Sequence, residues 1–287
     1  MAATPAITVL KCGGTSGVDP CSACSAVADL VRQGGQVVLV HGGSAQAQEE
    51  ASRLGLRLRQ IVSADGATSR YTDAEAFGVL LTAWTARVKP VLVTELVRLG
   101  VQAVGLTGLD AGMLTARRLT AQRAVVDGRE VVVRDTHTGR IASVRTGLLS
   151  TLLSAGMVPV VSPPALALDG TPVNVNSDRI AAAIAVALGA ARLVLLTAAP
   201  GVLADPADER TVLSELALPA DRGGRAAVTG GMAVKLAAAQ AALAGGVPEV
   251  LIADGRDRDR ISGALAGPGG TRIRRCPQSA QKGEASD

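Results

Sequence analysis

Apolar residues recur along the chain in short continuous runs that alternate with segments of helical spacing. Residues 7–10 and 36–40 are two such runs, each typical of a buried strand. Between them, Asp19 and Pro20 suit the N-cap and the first position of a helix that ends at Gly34. Two strand–loop–helix units near the N-terminus predict an α/β protein with a parallel sheet.

The same patterns continue through the rest of the chain. Ser44 is expected to cap the second helix, and residues 72–75 form a capping box before a long helix that Pro90 interrupts. From 114 to 144 apolar positions alternate with a period of two, and Asp127-Gly128 indicates a hairpin, so this part is predicted to be a β-rich insertion. Further helices are expected at 146–155, 177–188 and from 230, and further strands at 101–106, 157–161, 192–197 and 249–253.

Two polar stretches and the C-terminal tail lack the apolar periodicity of strands and helices. Residues 56–70 and 205–228 are expected to be irregular, and the tail 275–287 disordered. Residues 180–204 are apolar, but Arg192 and Pro200 interrupt them, so they are interpreted as a buried helix and strand and not as a membrane span. Because the N-terminus lacks a charged-then-apolar leader, the protein is expected to be cytoplasmic.

Composition narrows the possible functions. Hydrophobic residues make up 48% of the 287 residues, enough for a large core, while aromatic residues make up only 1%. Single-stranded nucleic acids bind by stacking on several aromatic side chains, so a nucleic-acid partner is not expected. The net charge of +4, spread without a Lys/Arg block, suits anionic small molecules or an acidic partner.

Lysine is rare among the basic residues. Of the 29 lysines and arginines, only four are lysines, namely Lys11, Lys89, Lys235 and Lys282. Where arginine is the default cation, each retained lysine suggests a position that needs a compact ammonium group. Lys11 directly follows the first predicted strand, so it is a candidate for anion binding.

The cysteines do not indicate a metal site. Cys21 and Cys24 form a lone CxxC, whereas a zinc site needs a second pair of ligands at suitable spacing. A redox function of this pair stays open at this point. Small helix residues in a reducing cytoplasm are the favoured interpretation.

Glycine pairs follow the first two predicted strands, in Lys11-x-Gly13-Gly14 and His41-Gly42-Gly43. The backbone N–H groups of such glycines approach an anion closely, and Lys11 adds positive charge. The pairs therefore predict a phosphate site at the carboxyl edge of the sheet. Two later motifs carry polar groups suited to the same site, Asn174-x-Asn176-x-Asp178 and Gly230-Gly231-x-x-x-Lys235.

Together these four motifs resemble those of the amino acid kinase family, in particular acetylglutamate kinase and its relatives. The resemblance extends to about Arg274. It implies a three-layer α/β/α sandwich with a mostly parallel central sheet of roughly eight strands and a β-hairpin insertion. It also implies a single domain over 1–274, with an acceptor lobe over about 1–173 and a nucleotide lobe over about 174–274, and a homodimer.

The resemblance assigns a role to each motif. Lys11 and Lys235 would flank the transferring phosphoryl group, and Asp178 would hold both ammonium groups. Phosphoryl oxygens would be bound by the backbone N–H groups of Gly13, Gly14, Gly42 and Gly43. Acceptor-binding residues would be Ser44, Arg70, Asn174 and Asn176. Nucleotide-binding residues would be Thr197, Pro200, Gly201, Thr229, Gly230 and Met232. The implied cofactors are ATP and the Mg²⁺ that it carries, and His41 is expected to pack behind its loop.

Within the family, the chain resembles a branch that phosphorylates aminoadipate attached to a small acidic amino-group carrier protein of the LysW type. Residues 105–110, 161–168 and 253–256 look like this branch, and the second loop reads HGGS where acetylglutamate kinases usually read HGGG. The stretch NVNSD is closer to the acetylglutamate kinase form. Acetylglutamate kinase therefore stays an alternative, as does an inactive carrier-binding or regulatory protein.

The chain departs from the family pattern at two places. Ala198 stands where relatives commonly carry Asp or Asn, and Lys89-Pro90 stands where they often carry Asn-Lys. Arginines are frequent before the long helix and in the β-rich insertion, and we expect several to form a positive rim for an acidic carrier. These are Arg53, Arg57, Arg59, Arg70, Arg117, Arg118, Arg123, Arg129, Arg134, Arg140 and Arg145.

Overall fold

The protein is described by a computed structural model over residues 5–15, 17–63, 68–126, 129–134, 136–218 and 230–276. All of the predicted helices are present, with bounds within a few residues of those expected, and one further helix, over 258–266, was not predicted. The α-helices are α1 Pro20–Arg32, α2 Ser44–Arg53, α3 Ala74–Thr82, α4 Lys89–Arg98, α5 Gly147–Ser154, α6 Ser177–Ala187, α7 Gly230–Ala244 and α8 Arg258–Ala266.

A central sheet of eight strands runs through the molecule. Its strands are β1 Ile7–Cys12, β2 Gln36–His41, β5 Ala103–Thr107, β10 Val158–Ser162, β13 Arg192–Thr197, β14 Glu215–Leu218, β15 Glu249–Asp254 and β16 Thr271–Arg275. They lie in the order β14-β16-β15-β13-β1-β2-β10-β5, and only β15 and β16 pair antiparallel. The predicted, mostly parallel sheet is confirmed.

Helices cover both faces of this sheet. α1, α4 and α8 pack on one face, and α5, α6 and α7 on the other. Because successive strand residues point to opposite faces, Val9 joins the core under α6 and α7, whereas Leu10 joins the core under α1 and α4. The same alternation places Lys11 on the α6 side and Cys12 on the α1 side. The three-layer sandwich is therefore confirmed.

The β-rich insertion is also confirmed, but its strands belong to two small sheets. One sheet has the order β12-β11-β6-β9 and the other β4-β3-β7-β8. Their strands are β3 Gln60–Ser63, β4 Thr68–Arg70, β6 Leu114–Arg118, β7 Ala121–Val126, β8 Arg129–Arg134, β9 Gly139–Val144, β11 Ala165–Ala167 and β12 Pro172–Val173. The predicted turn at Asp127-Gly128 lies outside the described residues, and the strands on either side of it pair antiparallel.

The long helix is interrupted as the sequence predicted. A π-helix, Ala83–Val88, separates α3 from α4, directly before Pro90. Proline cannot donate its backbone nitrogen, so the regular hydrogen-bond pattern has to change near it. By length and composition the run from 74 to 98 could cross a membrane, but it packs against α1, α2 and β5, and the core helix of a soluble protein passes the same test. Residues 180–204 form a buried helix and strand, as expected.

Two helix caps differ from the prediction. Gly43 is the N-cap of α2, and the helix starts with Ser44 itself, so the cap assigned to Ser44 is wrong. Before α3, the cap is Asp73, whose carboxylate accepts the Ala76 N–H at 2.9 Å, and not Thr72. Both errors have one cause, because backbone geometry, and not side-chain chemistry alone, decides which of two neighbouring residues is the N-cap.

Short strands were missed at four places, one of them residues 165–173, which contain β11 and β12. Residues 56–70 contain β3 and β4, and residues 205–218 contain a 3₁₀ turn, Glu209–Thr211, and β14. The last strand, β16, lies beyond the last strand predicted. All of these strands are short and most are partly polar, and their hydrogen-bond partners are distant in sequence for β14 and β16, so local periodicity carries little signal for them. Residues 219–229 and 277–287 lie outside the described residues.

Candidate active site

Two lysines meet at one buried carboxylate at the carboxyl edge of the sheet. Lys11, at the end of β1, places its Nζ 3.0 Å from Oδ1 of Asp178, and Lys235, in α7, places its Nζ 2.9 Å from the same oxygen. All three side chains are buried. Lys11 and Asp178 come together because odd-numbered residues of β1 face α6, whose first turn carries Asp178.

The charges of this cluster shift its titration. Burial raises the pKa of Asp178, but the ammonium groups of Lys11 and Lys235 outweigh it and hold that pKa below its ordinary value. Burial, reinforced by the charge of Lys11, lowers the pKa of Lys235 to about 8 although Asp178 opposes the shift. One carboxylate thus serves two cations, and the cluster keeps positive charge available for an anion.

The two glycine loops touch each other beside this cluster. A Cβ placed on Gly14 would lie 2.5 Å from the backbone nitrogen of Gly43 and 2.8 Å from that of Ser44. The Ala45 N–H donates to the Gly14 carbonyl at 2.8 Å and ties the first loop to the start of α2. Gly13 packs on Val18, where a Cβ would lie 2.7 Å from Cγ2. The structure therefore brings together the glycines that the sequence proposed for phosphate binding.

Two side chains next to the second loop were not predicted. The Ser177 hydroxyl lies 3.0 Å from the Cβ position of Gly42, and Trp84 Cδ1 lies 3.1 Å from that of Gly43. Ser177 directly precedes Asp178, so its place at the site could have been inferred from the motif. Trp84 could have been inferred only from its position seven residues after Phe77, since both lie on one face of the long helix and pack edge to face.

The predicted acceptor-binding residues surround the second loop and the start of α6. Arg70 donates from Nη2 to the Ser44 carbonyl at 2.9 Å, and the Asn174 amide lies 3.4 Å from the Thr72 hydroxyl. Asn176 is the N-cap of α6, because its Oδ1 accepts the N–H groups of Asp178 and Arg179. Since that oxygen is used in capping, the amide nitrogen of Asn176 is the group left to meet a ligand.

The predicted nucleotide-binding residues follow β13 and open α7. Thr197 ends β13, and Gly201 lies against the Thr271 hydroxyl, 2.5 Å from its Cβ position. Gly230 has a φ of 68° at the first position of α7, and Met232 packs on the core under α6 and α7. Pro200 belongs to the turn after β13, while Thr229 lies outside the described residues.

Ala198, where the chain departs from its relatives, has a structural partner. A Cβ on Gly17 would lie 2.5 Å from the Ala198 Cβ, so the two residues pack closely in the loops after β1 and β13. A larger side chain at either position would separate these loops. The small residue at 198 therefore matches the glycine at 17.

The cysteines do not form a reactive pair. Burial raises the pKa of the Cys12 thiol to about 11 and raises that of Cys24 further, and the Cys24 thiol donates to the Leu92 carbonyl at 3.6 Å. Burial and the Asp19 carboxylate also raise the pKa of Cys21. A redox cysteine needs a lowered pKa, so the redox interpretation of the CxxC is not supported.

The groups at this site suit phosphate. Its protein groups are ammonium groups and backbone N–H donors, which fit phosphate oxygens. Within the described ranges, no group of three or more His, Cys, Asp or Glu side chains could hold a metal ion. The ammonium groups of Lys11 and Lys235 and the N–H groups of the glycine loops would hold the phosphate oxygens.

Comparison with known proteins agrees with this geometry. A family model described as the amino acid kinase family matches residues 6–254. A [LysW]-aminoadipate kinase from Deinococcus radiodurans is 38% identical over 91% of this chain and 89% of its own length. One from Thermus thermophilus is 36% identical, with 91% and 98% covered, and an acetylglutamate kinase from Methanopyrus kandleri is 39% identical, with 85% and 93% covered.

Solved structures share the fold. The smu.665 protein from Streptococcus mutans superimposes with a TM-score of 0.71 at 23% identity, covering 93% of this chain and 98% of its own. Giardia carbamate kinase superimposes with a TM-score of 0.65 at 16% identity, covering 96% and 100%. At these identities the likeness supports the fold alone.

Proposed function

Because the chain belongs to the amino acid kinase family and is a phosphotransferase with a carboxyl acceptor, we propose that its acceptor is an amino acid on a carrier protein. It transfers the γ-phosphoryl group of ATP to the side-chain carboxylate of an aminoadipate- or glutamate-type residue attached through its amino group to an amino-group carrier, giving an acyl phosphate. The observation that carries the phosphotransfer is the pair of ammonium groups held at one oxygen of Asp178, beside the facing glycine loops.

The chemistry needs charge stabilisation and not a base. A side-chain carboxylate is ionised at neutral pH, so no proton has to be removed before it attacks. Two anions must instead be held together while charge spreads over the transferring group. Lys11 and Lys235 supply that charge, the glycine N–H groups hold the phosphoryl oxygens, and Asp178 fixes both lysines. Mg²⁺ carried by the nucleotide would supply further positive charge at the phosphates.

The other predicted residues divide between the two substrates. Arg70 and the amide of Asn174 lie on the side of the second glycine loop, where the acceptor would bind, with Ser44 and Asn176 beside them. Thr197, Pro200, Gly201, Thr229, Gly230 and Met232 would contact the nucleotide. Ser44 and Arg70 belong to an acceptor lobe over about 1–173, whereas Asn174 and Asn176 lie at the start of a nucleotide lobe over about 174–274. Each lobe supplies four strands to the central sheet.

Exposed arginines on the acceptor side support an acidic carrier as the partner. Several belong to the insertion, which adjoins the acceptor residues because the Gly139 N–H donates to the Asn174 carbonyl at 2.9 Å. Arg59 and Arg118 pair with Asp73 and Asp169, so their charge is partly neutralised. On the acceptor side, the exposed arginines that have no ion pair with another described residue are Arg57, Arg117, Arg134, Arg140 and Arg145.

Acetylglutamate kinase is the second candidate function. The Methanopyrus kandleri relative of that name is as similar in sequence as the carrier-linked kinases, and NVNSD has the acetylglutamate kinase form. The experiment that separates the two is a phosphorylation assay in which hydroxylamine traps the acyl phosphate. Carrier-bound aminoadipate or glutamate should give hydroxamate at a higher kcat/KM than free N-acetylglutamate. The reverse order would assign the protein to acetylglutamate kinase, and no product on either acceptor would favour an inactive carrier-binding protein.

The cellular location and the oligomeric state of the enzyme follow from the same proposal. A biosynthetic kinase that uses ATP and a carrier protein acts in the cytoplasm, and we propose that the chain forms a homodimer. Val91 and Val97 expose more than half of their surface on α4, which gives such a contact an apolar face. Sedimentation equilibrium of the wild type and of Val97→Glu tests the dimer, which the charged side chain should weaken.

A further inference from the structure

His41 ends β2 and points away from the two lysines. In this strand Val38 and Val40 join the core under α6 and α7, while Val37 and Leu39 join the core under α1 and α4. Because strand residues alternate, His41 lies on the α1 and α4 side, behind its own glycine loop. Its side chain is 1% exposed, so it cannot reach a substrate.

The tautomer of His41 follows from its hydrogen bond. Nδ1 lies 2.8 Å from the carbonyl oxygen of Gly42. A carbonyl oxygen only accepts, so Nδ1 carries the hydrogen and donates. Nε2 is then the unprotonated nitrogen, and it is the one buried side-chain polar atom without a partner in the described part of the chain. The buried imidazole thus makes a single hydrogen bond, to the carbonyl oxygen of Gly42 in its own loop.

That bond fixes the orientation of a peptide group. The Gly42 carbonyl and the Gly43 N–H belong to the same planar peptide unit and point in opposite directions when it is trans. Because the Gly42 carbonyl points towards the His41 side chain, the Gly43 N–H points away from it, towards the first glycine loop. The Cβ position of Gly14 lies 2.5 Å from that nitrogen, and the Gly43 N–H donates no hydrogen bond within the described residues.

We propose that His41 is a positioning residue of the phosphoryl transfer, whose Nδ1–H holds the Gly42 carbonyl so that the Gly43 N–H faces the transferring phosphoryl group. The inference rests on the proposed function and assigns a task to a side chain that touches neither substrate. An N–H donor is worth most when it is oriented before the charge develops, because no reorganisation is then needed during the reaction.

The surroundings of His41 keep it in this form. Burial lowers its pKa to about 4, and the charges of Lys89 and Lys11 lower it as well, against the bond to Gly42. Lys89 is buried, with its side chain packed on Gly105. The imidazole is therefore neutral at physiological pH, with one donor and a fixed tautomer.

Two variants separate positioning from packing. In His41→Asn the side-chain amide can take the place of Nδ1–H and donate to the Gly42 carbonyl, whereas His41→Leu fills similar space without a donor. We expect His41→Leu to lower kcat by roughly 10–100-fold, somewhat less than the loss of a whole donor, with a smaller change in the KM for ATP. His41→Asn should stay within about fivefold of the wild type.

Two further measurements complete the test. Affinity for ADP with aluminium fluoride, which imitates the transferring phosphoryl group, should fall in His41→Leu in proportion to kcat, while affinity for ADP alone should not. In ¹⁵N-histidine-labelled wild type, Nδ1 of His41 should be protonated and Nε2 not. The chain has only two histidines, and the spectrum of His41→Asn identifies the signal of His41.

The outcomes are distinguishable. A protonated Nε2 in the wild type, or a folded His41→Asn that is as impaired as His41→Leu, would overturn the positioning role. So would a His41→Leu with wild-type kcat. If His41→Leu does not fold, the tautomer and the activity of His41→Asn still decide. A wild type that phosphorylates no carboxylate acceptor would instead overturn the proposed function itself.

Discussion

Gly14 and Gly43 approach so closely that a Cβ on Gly14 would lie 2.5 Å from the Gly43 nitrogen. Real Cβ atoms do not come this near to backbone atoms, so the contact exists only because Gly14 has no side chain. It joins the end of β1 to the end of β2 and sets the spacing between two groups of N–H donors. Catalysis should therefore depend on Gly14 more than stability does.

Gly14→Ala should reduce kcat by about 10² or more, because the added methyl group pushes the two loops apart and misplaces the donors. Its cost in unfolding free energy should be about 1–3 kcal/mol, as for overpacking. Gly78→Ala is the matched control, since Gly78 is exposed in α3 and nothing lies within 4 Å of its Cβ position. That control should keep full activity and gain about 0.5–1 kcal/mol. Steady-state kinetics and urea unfolding check both, and a fully active Gly14→Ala would contradict the role of the loop contact.

Removal of either ammonium group should act mainly on the chemical step. Lys11→Ala or Lys235→Ala should lower kcat by roughly 10²–10³ and change the KM of either substrate less, because the lost charge acts on the transition state. Arg275→Ala, at an exposed position at the end of β16, is a control that should leave both constants unchanged. Wild-type turnover in either lysine variant would remove the cluster from the reaction.

The pH dependence should show an alkaline limb. Lys235 has its pKa lowered to about 8 by burial and by Lys11, and it must be protonated to stabilise the phosphoryl group. The value of log kcat/KM should thus fall with a slope of about −1 above a pKa near 8. In kcat the limb should move to higher pH, because bound ATP favours the ammonium form. A flat profile between pH 7 and about 10 would argue against the lowered pKa.

Much of this site could be predicted from local sequence, and the reason is physical. Glycines directly after buried runs mark loops at the carboxyl edge of a parallel sheet, and all such loops meet at that edge. Lys11 and the glycines of both loops could therefore be placed at one site, whereas the position of Asp178 beside them was implied only by the resemblance to the amino acid kinase family. The meeting of the two lysines at one carboxylate oxygen is confirmed by the distances.

Other features had no local signal. β14 and β16 are short, and they pair with each other across more than fifty residues. Gly43, and not Ser44, is the N-cap of α2 because of its backbone angles, with a φ of −178°. The unpaired Nε2 of His41 is a property of the packed core and cannot be read from the motif HGGS.

Lys89 should destabilise the fold at neutral pH. Burial lowers its pKa from 10.5 to about 8, although Asp110 opposes the shift, so the folded state binds this proton less tightly than the unfolded state does. The contribution of Lys89 to stability should therefore rise as pH increases from about 8 to about 10.5, where only the unfolded state still holds the proton. Lys89→Met should gain about 1–3 kcal/mol at pH 7 and remove this contribution. Lys235 acts with the same sign, and the buried Cys12 and Cys24 thiols, whose pKa values are raised, act with the opposite sign. Urea unfolding across this range checks it, and a Lys89→Met that is less stable at pH 7 would mean that the ammonium group is well paired.

The arginines of the insertion should govern the encounter with an acidic carrier. Arg117 and Arg134 are exposed and have no ion pair in the described part of the chain, whereas Arg118 donates from Nε to the Thr136 carbonyl at 2.8 Å and supports the fold. Arg117→Glu/Arg134→Glu is therefore a cleaner test than a change at Arg118. At low ionic strength it should lower kcat/KM for the carried substrate by roughly 10-fold or more, because rim charges act on the association rate.

Added salt should likewise lower kcat/KM for the carried substrate in the wild type. The screening length falls from about 30 Å at 0.01 M to about 8 Å at 0.15 M, so kcat/KM for carried substrate should drop as salt is added while that for a free acylated amino acid changes little. In the double variant the salt dependence should be weaker, since the charges that salt screens are gone. Arg275→Glu, a single charge reversal on β16, should leave both acceptors unaffected. Equal salt dependence for free and carried acceptors would mean that these arginines are solvated surface charges, and it would move the assignment to acetylglutamate kinase.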